Sequence, residues 1–423
     1  MKLPYGKGAL DLCLDTSLFD VHVILPEDTL PLKSPEKSFL KNAKEPLGST
    51  PLRKLTASKS NKSLSVIIVI SDHTRPVPDR LLIPWIVTEL GVNDSSVSIL
   101  VGTGTHRAPT NEELFSMLGS EILNRFEIIS HDCKDIKNLT NVGHSKCGGA
   151  CLLHNRYVDA DIKIATGFIE PHLFAGFSGG SKAIVPGIAG LETISYFHRA
   201  RIIADPLTTW GNTDQNPVLQ LSRDMTSLCP PDCIVNVTMN LKKQVTGFFI
   251  GEYRTAHNSG CQAVEKQSCT LVQQKYPVVI TTNSGYPLDM NFYQTVKGIS
   301  AASQIAEEGG TIIAVSECSN GIPGNSEFEK LLSQNLSTDN LLNEIMNSHT
   351  IHQDQWQVQT LLQILQKHKV FLYSAMNKEK VKLVRVNYIS DLEKTVNEIR
   401  TSLDINRLPV AVIPYGPLTI PVL

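Results

Sequence analysis

Short, almost wholly apolar runs alternate along this chain with longer stretches whose apolar residues recur every three or four positions. "SVIIVIS" (65–71), "SVSILVG" (96–102) and "DIKIATG" (161–167) each end in glycine or a small polar residue. A run that is apolar on both faces suits a strand buried inside a parallel sheet, because a half-exposed strand would alternate. Between the first two runs lies "PDRLLIPWIVTELGV" (78–92), with helical spacing and a kink expected at Pro84, where proline removes an amide donor. A second series follows: "YPVVITT" (276–282), "GTIIAVSE" (310–317), "KVFLYSA" (369–375) and "VKLVRVN" (381–387). The helices predicted between them include "NFYQTVKGISAASQIAEE" (291–308) and "DQWQVQTLLQILQKH" (354–368). Strand and helix in alternation predict α/β units in two sheets.

The polar stretch "KQSCTLVQQK" (266–275) separates the two series, so the expected division is an N-terminal α/β domain over 1–270 and a C-terminal α/β domain over 271–407. Residues 30–62, with several Ser, Pro and Lys, read as an extended surface segment.

Loops at the C-terminal edge of an open parallel sheet gather into one crevice, and ligands bind there. Each strand of the first series ends in polar residues. "DHTRPVP" follows the first and brings Asp72, His73, Thr74 and Arg75; "TGTHRAPT" follows the second and brings His106 and Arg107. After the third comes "EPHLFAGFSGGSKAIVPG" (170–187), with Glu170, His172 and a glycine loop carrying Lys182; "YFHRA" adds His198. Taken singly, "DHTRP" is equally a turn in which Asp72 and Thr74 bond backbone, and a lone histidine is more often a satisfied structural one. "GTGTHR" lacks the third glycine of a dinucleotide loop. The lysine loop is not of the ATPase type, since Ala183 rather than Ser or Thr follows Lys182 and the magnesium ligand is missing. Such a loop can still offer backbone amides to an anion, which leaves its lysine available as a nucleophile toward carbonyl or thiocarbonyl carbon. "HSKCGGACLLH" (144–154) has metal-like His and Cys intervals, but Gly148-Gly149 between apolar flanks reads better as a hairpin turn.

Composition narrows the partners. With 423 residues, 41% hydrophobic and 19% charged, and a net charge of -2, the chain has room for two cores and no electrostatic case for nucleic acid or an anionic membrane. No apolar run reaches spanning length, and the N-terminus lacks the pattern of a secretory leader. Nine cysteines scattered singly suit reduced thiols, so a cytoplasmic protein is expected.

The motifs "SDHTRPVP", "GTGTHR", "GFIEPHLFAGFSGGSKAIVPG", "YFHRAR", "YPLDMNFYQTVKG" and "DQWQVQ", spread over nearly the whole chain, resemble the nickel-pincer lactate racemase family. The long glycine-loop motif carries most of the specificity. The resemblance implies two α/β domains with mostly parallel sheets and the active site in the interdomain cleft, with segment 408–423 returning to the first domain. It implies a racemase or epimerase of a small 2-hydroxy acid, lactate being the default. The implied cofactor is a nickel pincer nucleotide, the pyridinium-3-thioamide-5-thiocarboxylic acid mononucleotide, supplied by cofactor-synthesis enzymes during maturation. Matched residue by residue, Lys182 forms the thioamide link, His198 is the protein's nickel ligand, and His106 and His172 are acid/base residues. Asp72, Thr74, Arg75 and the amides of Ser178, Gly179 and Gly180 hold the phosphate end or the substrate; Arg75, Tyr293, Gln294, Lys297 and Trp356 are substrate contacts. Two other classes stand beside this reading: a nicotinamide-dependent 2-hydroxy-acid dehydrogenase, and a non-catalytic protein that binds the nickel cofactor.

Overall fold

The computed structural model describes residues 1–57, 64–324, 326–348 and 350–423. The chain forms two compact units, neither of them one continuous stretch. The first comprises Asp28–His198 and Pro206–Gln267, the second Met1–Glu27, Arg199–Asp205 and Ser268–Leu423.

The elements of the first unit used below are β1 (Val66–Ser71), α1 (Asp79–Leu90), β2 (Val97–Gly102), α2 (Asn111–Arg125), β3 (Glu127–Ser130), β4 (Ile162–Phe168), α3 (Pro217–Thr226), β5 (Cys233–Met239), β6 (Val245–Gly251) and α4 (Thr255–Ser268). The strands form one sheet in the order β6-β5-β4-β1-β2-β3, parallel throughout except for β6, which runs antiparallel to β5. From β1 the chain moves to β2 and β3 on one side, then crosses to β4 and β5 on the other. Such a reversal opens a crevice at the C-terminal ends of the strands flanking it. Here those strands are β1 and β4.

Every residue of β1 from Val66 to Ile70 is at most 2% exposed, so both faces are covered, as its unbroken apolar run requires. Val66, Ile68 and Ile70 share a core with Leu82, Ile83, Ile86 and Leu90 of α1. The expected kink does not interrupt α1: the helix continues through Pro84, pinned to the sheet by these side chains, and ends at Gly91 in the left-handed conformation. Residues 30–62 are not simply extended. Pro35–Lys44 and Leu52–Ala57 are helical and bury Phe39, Ala43 and Leu52, the first two being one helical turn apart; residues 58–62 lie outside the described residues. The 144–154 segment is a hairpin, Leu139–His144 pairing with Ala150–His154, and its turn uses Gly148 at φ 92°.

The second unit has a six-stranded, all-parallel sheet. Its elements are β7 (Tyr276–Thr282), α5 (Phe292–Ser303), β8 (Ala306–Val315), α6 (Gln355–Leu365), β9 (Lys369–Tyr373), β10 (Asn387–Ile389) and β11 (Leu408–Ile413). The order is β10-β9-β8-β7-β11 followed by Phe19–Val23 at the edge. Two expectations are corrected here. Residues 381–387 are not a strand: Lys378–Leu383 is a helix because the Asn377 side chain caps it by accepting from Lys380 N, and strand begins only at Asn387. Segment 408–413 does not return to the first unit; it hydrogen-bonds to β7 on one side and to Phe19–Val23 on the other, so residues 1–27 also belong here. The cause is burial: Leu408, Val410 and Val412, all 0% exposed, share a core with Ile280, Ile313 and Phe19.

The packing of β1 gives a direct test. Ile68→Ala, at a 0% exposed site, should lower unfolding free energy by about 2–5 kcal/mol. Leu30→Ala, at an 85% exposed site, should change it by no more than about 0.5 kcal/mol. Urea denaturation of the two variants measures the difference; equal costs would contradict this description of the core.

Candidate active site

Three loops leave the C-terminal ends of β1, β2 and β4, and named side-chain contacts tie them together. Asp72, only 4% exposed, spends both carboxylate oxygens. Oδ1 accepts from Thr74 N at 3.0 Å and Thr74 Oγ1 at 2.6 Å; Oδ2 lies 2.6 Å from His106 Nδ1. The turn reading and the site reading of "DHTRP" are therefore both realised, one by each oxygen. Burial, the largest single influence, works to raise the pKa of Asp72, but the His106 and Thr74 hydrogen bonds and the Arg75 charge outweigh it and hold the carboxyl well below its ordinary range. A carboxylate only accepts, so the neutral His106 ring carries its proton on Nδ1 and presents a basic Nε2.

Arg107, next to His106, is anchored from α2. Thr110 and Glu113 form a reciprocal capping box, and Glu113 also pairs with Arg107 Nη2 at 2.6 Å and with His73 Nε2 at 3.5 Å. The Arg107 hydrogen bond is the main reason that the Glu113 carboxyl is lowered to about 2. One glutamate thereby fixes the loop after β1 and the loop after β2 to the same helix start. Arg75 joins the first loop to the third, its Nε 3.7 Å from Glu170 Oε1.

The third loop folds back on itself as a two-stranded ribbon in which Pro171 and His172 pair with Phe177 and Gly176. This reversal explains the ten-residue spacing between His172 and Lys182: the ribbon returns the chain, and Lys182 Nζ comes to 3.1 Å from His172 Nε2. His172 Nδ1 accepts from the amides of Phe174 and Ala175 at 3.1 and 3.2 Å. Amides only donate, so the neutral His172 ring carries its proton on Nε2, the opposite arrangement to His106. The ring of Phe174 lies 6.0 Å from the ring of His172 and 6.3 Å from that of His198.

His198 is buried at the end of its helix, and its Nδ1 donates to Ile194 O at 2.9 Å. Burial, opposed by the Ile194 carbonyl, pushes its pKa down to about 3. A neutral imidazole with its lone pair on Nε2 is the form that binds metal.

The glycine loop departs from expectation. The Ser178 amide donates to Glu170 O at 2.9 Å and the Gly180 amide to Asn236 Oδ1 at 2.8 Å, so these two amides hold the loop rather than an anion. Gly179 and Gly180 have φ of 82° and 57°, and a Cβ on Gly180 would lie 2.5 Å from the His257 ring. Small size and left-handed backbone are both required there. Asn236 and His257 were not among the sequence candidates. Asn236 could have been noticed as a polar residue inside the apolar strand "CIVNVTM", 0% exposed; His257 on α4 carries no local signal. His257 Nε2 donates to Ser178 O at 2.9 Å, fastening the loop from beneath.

In the second unit, Tyr293, Gln294 and Lys297 lie on α5 and Trp356 on α6. Trp356 Nε1 donates to Tyr293 OH at 3.2 Å, and the Gln294 Oε1 atom is buried with no hydrogen-bond partner among the described residues.

A switch-point crevice ringed by paired titratable side chains is the mark of an α/β enzyme, and comparison with known proteins gives its class as an isomerase. Residues 5–211 match the lactate racemase N-terminal domain and residues 271–420 the lactate racemase C-terminal domain. The lactate racemase of Thermoanaerobacterium thermosaccharolyticum is 33% identical over 98% of this chain and 97% of its own length, and that of Lactiplantibacillus plantarum 34% over 88% of each. The solved structure of the T. thermosaccharolyticum lactate racemase apoprotein superposes with a TM-score of 0.92 at 31% identity, covering 100% of this chain and 99% of that one. A Thermotoga maritima protein of known crystal structure, 18% identical with a TM-score of 0.68 over 94% of this chain and 99% of its own, shares the fold alone. The chain belongs to the lactate racemase family. Its class is thus neither the dehydrogenase nor the non-catalytic carrier.

His257 makes acid sensitivity measurable. Burial first, then the Arg223 charge, lowers its pKa from 6.5 to about 4 against the opposing Ser178 carbonyl. Between those values the unfolded chain binds a proton that the folded chain refuses, so stability is full above pH 6.5 and falls as pH drops toward 4. The loss from this residue should be roughly 3 kcal/mol. Urea midpoints recorded across that range should fall less steeply in His257→Phe than in the parent; equal slopes would refute the assignment.

Proposed function

We propose that this chain interconverts the enantiomers of a small 2-hydroxy acid, lactate being the first to test, by removing and returning hydride rather than a carbon-bound proton. The 2.6 Å contact between the Asp72 carboxylate and His106 Nδ1 carries the reading, because it leaves His106 Nε2 as a base for a hydroxyl proton.

The residues present fit a nickel pincer nucleotide. His198 offers a neutral nitrogen, and Lys182 offers an amine for a thioamide link. Among the described residues no group of three or more His, Cys, Asp or Glu side chains forms a metal site, so nickel on His198 would take its other ligands from the nucleotide. When bound, this cofactor supplies a hydride acceptor and donor, allowing the stereocentre to pass through a planar keto acid. Cofactor-synthesis enzymes are the partners required for loading.

The remaining work falls to side chains. Arg75 meets the substrate carboxylate, with Tyr293, Gln294, Lys297 and Trp356 as further substrate contacts. Asp72 and Thr74 act by orienting His106, since their polar atoms bond to one another and to that ring. His106 takes the hydroxyl proton, and His172 donates from Nε2 to the oxygen of the returning alcohol. The two rings are complementary, one poised to accept and the other to give. In the reverse direction His172 must move its proton to Nδ1, exchanging its two amide bonds. The nine free thiols suit a reducing compartment, and we place the protein in the cytoplasm. No helix among the described residues is long and apolar enough to cross a membrane.

Protein produced beside the cofactor-synthesis enzymes should carry a covalent mass increment that Lys182→Ala loses, and His198→Ala should retain the mass but lose nickel. An adduct persisting in Lys182→Ala, or full nickel in His198→Ala, would overturn those roles.

His106→Ala and His172→Ala should each slow racemisation by about 10²–10⁴-fold, with Asp72→Asn close behind because it removes the carboxylate that fixes the His106 tautomer. Rapid mixing of each pure enantiomer with each histidine variant should show opposite enantiomer preferences for the first half-reaction. Identical preferences, or near-normal polarimetric rates in either variant, would exclude two acid/base histidines.

A further inference from the structure

The contact between His172 and Lys182 defines a chemical state of the lysine as well as a position. With Phe174 and Ala175 amides both donating to Nδ1, the neutral His172 ring directs an N–H from Nε2 at Lys182 Nζ, 3.1 Å away. An ammonium group has three donors and no acceptor, so that geometry is a hydrogen bond only if Nζ is the neutral amine. A lysine in water is neutral only far above physiological pH, its ordinary pKa being about 10.4.

We infer that in the cofactor-free protein His172 is a positioning residue that holds Lys182 as a neutral nucleophile, a role separate from acid/base work in racemisation. The inference rests on Lys182 being the attachment point. The step it serves is a condensation with a thiocarboxylic acid: Nζ forms the C–N bond and the carbonyl oxygen leaves as water. That water takes one proton from the amine and one from the thioacid. Sulfur remains as C=S, and nothing is oxidised or reduced. Only a neutral amine has the lone pair for this attack. The ribbon geometry supplies both halves of the requirement. The Gly176 turn brings residue 172 back toward 182, and the two amides that fix the tautomer belong to that same turn.

The test uses the full chain made without cofactor-synthesis enzymes and trace-labelled with acetic anhydride near pH 7, each lysine being quantified by peptide mass spectrometry. Lys146, whose side chain is 91% exposed, is the internal standard. Lys182, though only partly exposed, should label faster than Lys146. His172→Phe, which fills the space but removes the N–H, should cut the Lys182 to Lys146 ratio by about tenfold or more, the factor for one pKa unit. His172→Gln, which keeps an N–H donor, should retain most of it. A parent ratio at or below one overturns the inference, and so does a ratio unchanged in His172→Phe. A covalent cofactor mass surviving in Lys182→Ala would defeat the attachment reading itself, whereas the labelling ratio judges the pair without any cofactor.

Discussion

The site depends first on the opposite proton arrangements imposed on two histidines by fixed neighbours. Asp72 can only accept, and the amides of Phe174 and Ala175 can only donate. These partners are set by backbone turns at strand ends rather than by side-chain packing, so the chemistry of each ring is determined before any substrate arrives. Burial alone would not do this: it lowers the affinity of a histidine for protons without choosing which nitrogen keeps the one that remains.

The same economy of structure appears in the glycine loop. Its two left-handed glycines allow the backbone to lie against His257 and Asn236, and the loop amides are used to hold that position. A loop that spends its amides internally makes a weak anion cradle and a rigid mount. Lys182, one position after Ser181, whose hydroxyl is bonded to Ser222 of α3, is held by that mount. Rigid placement of a reactive group is worth more to a covalent attachment than an extra electrostatic contact, because orientation removes entropy from the barrier.

Much of this was legible in the residue pattern. Apolar runs covered on both faces located β1, β2, β4 and β7 within a residue, though β8 begins four residues before the predicted run, and the clustering of His, Asp and Lys after the first-unit strands located the crevice. What could not be read were long-range choices. Leu408–Ile413 and Phe19–Val23 are ordinary β-branched strands, and nothing local says that they pair with each other rather than with the first sheet. "VKLVRVN" has strand composition, but the Asn377 cap and the helical spacing of Val381 and Val384 prevailed. Ser178 and Gly180 were expected to expose their amides; their partners, Glu170 O and Asn236 Oδ1, lie on segments whose proximity only the fold creates. Tautomers were wholly invisible, since they follow from which atom faces each ring.

Those tautomers are also the point of most direct attack. Protein labelled with ¹⁵N in the histidine rings reports, by NMR, which nitrogen of each ring bears the proton, and single His→Gln variants assign the signals. Near neutral pH, the neutral rings of the parent protein should show His106 protonated on Nδ1 and His172 on Nε2, and Asp72→Asn should remove the His106 preference while leaving His172 as it was. Both rings protonated on the same nitrogen, or a His106 signal indifferent to Asp72→Asn, would contradict the account.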